Sequence, residues 1–253
     1  MSERKGSAFP HERLDVYRAF LRFAALSGTV VGDAGAYAVA DQLERATESI
    51  GMNLIRGNSQ RTPAVRAVYF DVSMASGIEC AACLDVCLEK DVVGDNRVAD
   101  GKALLLRIVE MLFGLRRRSS QSACEGPAPY GVPVFAHERL DVYRLGLGFV
   151  KWTDLLCRQG ELSARENKKL DASSTSLVLN IAEGNGKFSR KDRTKFIDIA
   201  NTAGMQCALL LDLLMVRSRE TAQNLTEGKN MLDRICSMLM GWRRGLEEDQ
   251  ECG

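Results

Sequence analysis

The chain repeats one ten-residue segment: Phe9-Pro10-His11-Glu12-Arg13-Leu14-Asp15-Val16-Tyr17-Arg18 returns as Phe135-Ala136-His137-Glu138-Arg139-Leu140-Asp141-Val142-Tyr143-Arg144. The two copies differ only at their second position and lie 126 residues apart. Self-similarity at a fixed period is typical of a duplicated structural unit. The segment therefore indicates that the chain is a tandem repeat.

The register of the repeat continues after this segment with an offset of 127 residues. Three further pairs of segments match at that offset: Asn53–Gly57 with Asn180–Gly184, Cys80-Ala81 with Cys207-Ala208, and Met111–Arg117 with Met238–Arg244. The residues between the copies are rich in Ser, Pro and Gly, which is typical of a linker. We predict one domain over 9–118, a linker over 119–134 and a second domain over 135–247.

Each half has the apolar spacing of four amphipathic helices, and no segment has the pattern of a strand. Thr62-Pro63 and Ser189 have the composition of helix starts, and Gly184 is expected to end a helix as a left-handed cap. Four helices with short connections bury their apolar stripes most simply as an antiparallel bundle. We predict an all-α protein of two tandem antiparallel up-and-down four-helix bundles.

The composition is that of a soluble globular protein, with 45% hydrophobic residues in 253. Lys and Arg number 34 against 33 Asp and Glu, so the chain has no overall basic field to attract nucleic acid. The N-terminus lacks the apolar run of a secretory signal, and no membrane-spanning segment is expected. We predict a cytoplasmic protein whose eight cysteines are reduced thiols.

One segment of the second repeat carries a family resemblance. The string Asn180-Ile181-Ala182-Glu183-Gly184-Asn185-Gly186-Lys187, with Ser189 and Phe196–Ala200 after it, resembles the signature of a bacterial four-helix bundle family. This family is encoded in intervening sequences of large-subunit ribosomal RNA genes. It also includes the accessory variability determinant of diversity-generating retroelements.

The resemblance implies small bundles that assemble into rings. It also implies that the retroelement members bind nucleic acid through basic surfaces and associate with a reverse transcriptase, whereas the intervening-sequence members have no established activity. The family-signature positions expected to have structural roles are Asn53, Gly57, Glu79, Asn180, Glu183 and Gly184.

The two repeats depart from this signature in complementary ways. Arg56 stands in the first repeat where Glu183 stands in the second, and Gln206 stands in the second where Glu79 stands in the first. Each repeat has therefore lost one of two acidic positions, which indicates that the repeats have specialised. Because two bundles are fused, a closed ring of intact chains contains an even number of bundles.

A basic cluster in the second repeat is the candidate nucleic-acid site. Its members precede or open a helix, where backbone N–H groups help to bind phosphate: Lys187, Arg190, Lys191, Arg193 and Lys195. The alternative is a solvated loop of charged residues. The same place in the first repeat has only Arg61 and Arg66, so such a patch is expected on one repeat only.

Other groups that could perform chemistry have simpler structural interpretations. Cys80, Cys83 and Cys87 lie on one helical face but lack a fourth metal ligand at a suitable spacing, so we expect them to pack as small hydrophobic residues. His11 and His137 are expected to cap or pack. Glu183 lacks a second acid–base group at a matching spacing, so a helix-end contact or ion pair is the simpler role.

The sequence therefore favours a protein that is not an enzyme and that needs no cofactor or metal. We predict a nucleic-acid-binding accessory or adaptor protein that acts beside a reverse transcriptase or on structured RNA or DNA. The alternative is a protein-interaction or assembly scaffold without nucleic-acid binding. Further copies of the chain are expected as partners, and a membrane is not.

Overall fold

The computed structural model describes residues 9–119, 135–160, 162–187, 189–217 and 222–251. These residues form eight α-helices and no strand, which confirms the all-α prediction. The helices are α1 Asp15–Ala34, α2 Ala38–Ser59, α3 Pro63–Glu89, α4 Asp95–Ser119, α5 Asp141–Arg158, α6 Ala164–Gly186, α7 Arg190–Arg217 and α8 Ala222–Glu251. A 3-10 turn precedes α1 at Pro10–Arg13 and α5 at Ala136–Arg139.

The helices pack in two groups of four, α1–α4 and α5–α8, which we call the first and second bundles. Within each group every helix contacts the next, and the fourth helix contacts the first. Burial of the apolar stripes stabilises both groups by removing apolar surface from water. Phe23, Leu43 and Phe70 are fully buried in the first bundle, as are Phe149 and Leu177 in the second.

The two bundles also pack directly on each other. Helix α3 contacts both α5 and α6, and α2 contacts α6. The predicted linker begins at Ser119, which is the last residue of α4, and its residues 120–134 lie outside the described part of the chain. The predicted domain boundaries stay predictions, although α8 continues past residue 247 to Glu251.

One predicted helix end is wrong. Helix α6 runs through Gly184 and ends at Gly186, and positive φ among the described glycines is confined to Gly35 and Gly160. Gly184 instead permits close packing, because a Cβ there would lie 3.2 Å from the Cβ of Phe196. The start of α6 has a capping box between Ser163 and Glu166, which the sequence analysis missed.

Two helices, α3 and α7, are long and apolar enough to span a membrane by length and composition. In α3, 67% of the apolar 18-residue segment is buried, which is typical of a core helix that contacts neighbours on several sides. In α7, only 28% of the corresponding 18-residue segment is buried. Helix α7 therefore has an apolar face that the described residues leave exposed.

Candidate interaction surface and the junction between the bundles

A buried ionic cluster joins the two bundles near the C-terminal end of α3. The Lys102 ammonium on α4 pairs with Asp85 on α3 and, at 2.7 Å, with Glu138 of the second bundle. The Tyr143 hydroxyl on α5 donates to Asp85 Oδ2 at 2.9 Å. Burial opposes the charge on Lys102, but the two carboxylates raise its pKa above the ordinary value. The cluster therefore holds the first two turns of the second repeat against the first bundle.

His137 lies in the same cluster and is neutral. Its ring packs edge-on against Tyr143 with the centroids 4.8 Å apart, and its Nε2 is buried without a hydrogen-bond partner. Burial and the charge of Lys102 lower the pKa of His137 to about 3. Asp85, His137 and Glu138 place three metal-ligand atoms within 4.8 Å of one another, but the Lys102 ammonium already pairs with both carboxylates there. A metal ion would have to displace it.

A second set of polar contacts joins the bundles just after α3 ends. Lys90 is fully buried, and its ammonium lies 2.6 Å from Asp171 on α6. The other carboxylate oxygen of Asp171 accepts the Ala38 N–H at 2.7 Å. The Tyr37 hydroxyl donates to Asp154 at 2.8 Å. Because a buried charge without its partner is strongly unfavourable, these pairs fix how the bundles dock.

The two acidic positions singled out by the sequence come together on the other side of the Asp85 cluster from Lys90, closer to the middle of α3. Glu79 of the first bundle and Glu183 of the second line one groove of about 470 Å³. Glu183 pairs with Lys187 at 2.9 Å. Burial raises the pKa of Glu79 to about 7, and the negative charge of Glu183 adds to the effect. Each repeat thus supplies one of the two carboxyl groups to a shared groove.

The predicted basic cluster is mostly used inside the protein. Lys187 pairs with Glu183 and lies over the Phe196 ring at 4.7 Å. Arg193 donates to the Lys187 carbonyl at 2.8 Å, and Arg190 donates to the carbonyl of Leu246 near the end of α8 at 3.1 Å. These three side chains satisfy carbonyls or a carboxylate at helix ends.

The remaining two members of the cluster, Lys191 and Lys195, are exposed in the first turns of α7. They line a second groove of about 530 Å³ together with Asp198, Ile199 and Gln206. Gln206 occupies the position of Glu79 in the repeat, so this groove is the counterpart of the one at the junction. In the second bundle the groove is open.

The open groove continues into the uncovered face of α7. Its large apolar side chains are exposed: Ile199, Met205, Leu209, Leu213 and Val216. The apolar periodicity of α7 predicts a buried stripe and does not predict this exposed face. Because α7 has apolar residues on more than one side, periodicity alone cannot show which side is buried and which is exposed.

The remaining signature residues have structural roles that are the same in both repeats. The Asn53 side chain donates to the Ser49 carbonyl at 2.8 Å, and the Asn180 side chain donates to the Ser176 carbonyl at 2.7 Å. Gly57 allows the Phe70 ring to approach, because a Cβ there would lie 2.6 Å from the ring. These residues shape the end of α2 or α6 rather than a chemical site.

The cysteines of α3 pack as the sequence predicts. Cys80, Cys83 and Cys87 are fully buried as free thiols. Burial raises the pKa of all three well above the ordinary value of a thiol. They are therefore protonated and contribute apolar surface to the core.

Comparison with known proteins identifies the second repeat. Residues 138–241 match the model of the family described as 23S rRNA-intervening sequence protein, and these residues run from the 3-10 turn before α5 into α8. No curated protein and no solved structure matches the chain. The second repeat of this chain is therefore similar to the 23S rRNA-intervening sequence protein family.

Proposed function

We propose that this protein is a non-catalytic adaptor whose helix α7 carries two contact surfaces, an apolar face for protein and a basic start for nucleic acid. The uncovered face of α7 is the observation that carries the proposal. Leu209 and Met205 are each more than half exposed there. Contiguous exposed apolar surface is typical of protein-interaction sites.

A non-catalytic role is supported by how the protein uses its titratable groups. Lys90 and Lys102 are held in ion pairs that join the bundles, and the buried thiols of α3 are protonated. The Tyr143 hydroxyl donates to Asp85, a buried carboxyl group that also pairs with Lys102. These groups stabilise the structure.

Nucleic-acid binding is the more specific part of the proposal. Its support is the position of Lys191 and Lys195 at the exposed start of α7, where the helix dipole also favours phosphate, together with a family named for ribosomal RNA. The partners we propose are structured RNA or DNA in the cytoplasm, a reverse transcriptase and further copies of this chain. Two lysines give affinity for phosphate without base specificity.

A titration against a structured RNA and a matched duplex DNA at two salt concentrations tests the nucleic-acid surface. Reversing both charges, Lys191→Glu with Lys195→Glu, is expected to weaken binding and to reduce the slope of log K against log salt by about 1–2. The matched control is Lys168→Glu with Lys169→Glu on α6, which changes the net charge equally at exposed positions. Equal losses in both double variants would show that these two lysines are not the binding site.

If neither nucleic acid binds at low salt, the protein surface remains to be tested. The exposed face of α7 then supports the assembly-scaffold alternative. In that case purification from the native host should recover partners with the wild-type chain that Leu209→Asp no longer recovers.

A further inference from the structure

The contact between the bundles is made by two different surfaces. Surface A belongs to the first bundle: Asp85 on α3 and Lys102 on α4 make its polar contacts, and Ile78 lies beside Gly186 of α6. Ala82 and Val86 are the buried residues on the same stripe of α3, and we include them in this surface. Surface B belongs to the second bundle and comprises His137, Glu138 and Tyr143 at the start of the repeat, with Glu183 on α6. Leu179 is buried one turn before Glu183 on α6, and we include it in this surface. Because the chain is duplicated, each bundle also contains the surface that it does not use.

The unused surface A lies on the second bundle, and the unused surface B lies on the first. At the repeat offsets, the unused surface A comprises Met205, Leu209, Asp212, Leu213 and Lys229. The unused surface B comprises His11, Glu12, Tyr17, Met52 and Arg56. One chain therefore has one surface of each kind left over, one on each bundle.

Both unused surfaces expose the apolar side chains that the used surfaces bury. Ile78 is 3% exposed at the junction, whereas its counterpart Met205 is 53% exposed. Leu179, on the same stripe of α6 as Asp171 and Gly186, is 5% exposed, whereas its counterpart Met52 is 52% exposed. The two unused surfaces are thus apolar in the same places where the used surfaces meet.

The polar residues of the unused surfaces already make the same side-chain contacts as their counterparts at the junction. Lys229 pairs with Asp212 at 2.5 Å, as Lys102 pairs with Asp85. His11 packs edge-on against Tyr17 with the centroids 4.8 Å apart, the same separation as between His137 and Tyr143. A shared contact explains why residues 9–18 and 135–144 are almost identical.

We propose that surface A of the second bundle binds surface B of the first bundle in a second copy of this chain, head to tail. This inference rests on the proposed function of the α7 face and names its partner. Lys229 then pairs with Glu12 of the second copy, and the Tyr17 hydroxyl donates to Asp212. Met52 covers the apolar face of α7 beside Met205 and Leu209.

The same docking brings the two departures from the signature together. Arg56 takes the place of Glu183, and Gln206 takes the place of Glu79, so an arginine faces a neutral amide where the junction within the chain has two carboxyl groups. The contact between chains is therefore free of the repulsion between Glu79 and Glu183. The two substitutions are explained as a pair only if these surfaces meet.

The nucleic-acid surface stays accessible in this assembly. Lys195 corresponds to Val68, which is 60% exposed although it lies beside the junction. A contact between two different surfaces closes into a ring or extends into a filament, depending on the rotation at each contact. In a closed ring every bundle then has both surfaces covered.

Sedimentation velocity of the full chain and three variants tests the proposal. Leu209→Asp removes surface A of the second bundle, Met52→Asp removes surface B of the first, and Leu155→Asp changes an equally exposed apolar residue on α5 outside both surfaces. We expect the wild type and Leu155→Asp to form oligomers at micromolar concentration. The two surface variants should each sediment as a 27.9 kDa monomer with unchanged circular dichroism.

Mixing the two monomeric variants gives the decisive measurement. Leu209→Asp retains surface B and Met52→Asp retains surface A, so the mixture should form a dimer of one copy of each. Oligomers of either variant alone, or no dimer in the mixture, would overturn the head-to-tail arrangement. A monomeric wild type that still binds RNA or a host protein through α7 would overturn this inference and leave the proposed function standing.

Discussion

Helices α3 and α7 occupy the same position in their repeats, and both are strongly apolar, yet α3 is covered by a second bundle and α7 is not. On the stripe of α3 that carries Ile78 and Asp85, α3 has the small residue Ala82 where α7 has Leu209. Ala82 is fully buried and Leu209 is more than half exposed. The difference shows that the apolar character of a helix face reveals a need for cover but not which molecule provides it.

The largest expected effect comes from placing a charge at equivalent apolar positions of α3 and α7. Val86→Asp places a carboxylate at a fully buried position of α3, and the corresponding change on α7 is Leu213→Asp at a partly exposed one. Because an unpaired buried charge is costly, we expect Val86→Asp to lower the free energy of unfolding by about 3–5 kcal/mol. Leu213→Asp should change it by less than about 1 kcal/mol.

Urea unfolding at a protein concentration where the chain is monomeric measures both effects. Leu213→Ala is the control for the lost side-chain volume on α7. Equal destabilisation by the two aspartates would mean that α7 is covered within the chain.

The next effect compares the two lysines that pair with α3 and α7. Lys102→Met leaves Asp85 and Glu138 near each other without a cation, and we expect a loss of about 2–4 kcal/mol at pH 7. Lys229→Met breaks an exposed pair with Asp212, which is expected to cost about 0–1 kcal/mol in the monomer. Urea unfolding of both variants measures the two losses in free energy of unfolding. A larger loss for Lys229→Met than for Lys102→Met would contradict the assignment of Lys102 to the junction.

The smallest effect concerns pH and the two grooves. The folded protein raises the pKa of Glu79 to about 7 from an ordinary value of 4.5, so the folded state binds more protons than the unfolded state between these pH values. The contribution of Glu79 to stability is therefore fully present below about pH 4.5 and is lost as the pH rises to about 7. We expect this loss to reach about 1–3 kcal/mol.

Glu79→Gln gives the first groove the residue that the second groove has at Gln206, and it should remove this loss. The difference in unfolding free energy between wild type and variant, measured from pH 4.5 to 8, reports it. Gln206→Glu is the matched control, because the open groove should leave the new carboxyl with little pH dependence in the monomer. A difference between wild type and Glu79→Gln that stays constant over this range would show that Glu79 is not titrating there.

The candidate site was predictable only in part, and particular residues show why. The cluster at 187–195 was visible because its five cations lie within nine residues, but the sequence could not show that Arg190 and Arg193 donate to helix-end carbonyls. Asp85, Lys102 and Glu138 were missed because they are far apart in sequence and belong to three elements. A charge pair across a tertiary contact has no local pattern.

The duplication, the helices of each repeat and the family resemblance of the second repeat can be recognised from the sequence, because repeat register, apolar periodicity and signature strings are local properties of the chain. The contact of α3 with α5 and α6, the groove that Glu79 and Glu183 share and the apolar face of α7 that the described residues leave exposed become visible only in three dimensions. These outcomes depend on which copy of each repeated surface is buried between the two bundles of the same chain. The two repeats offer both surfaces in nearly the same residues, so docking in three dimensions settles which pair is buried.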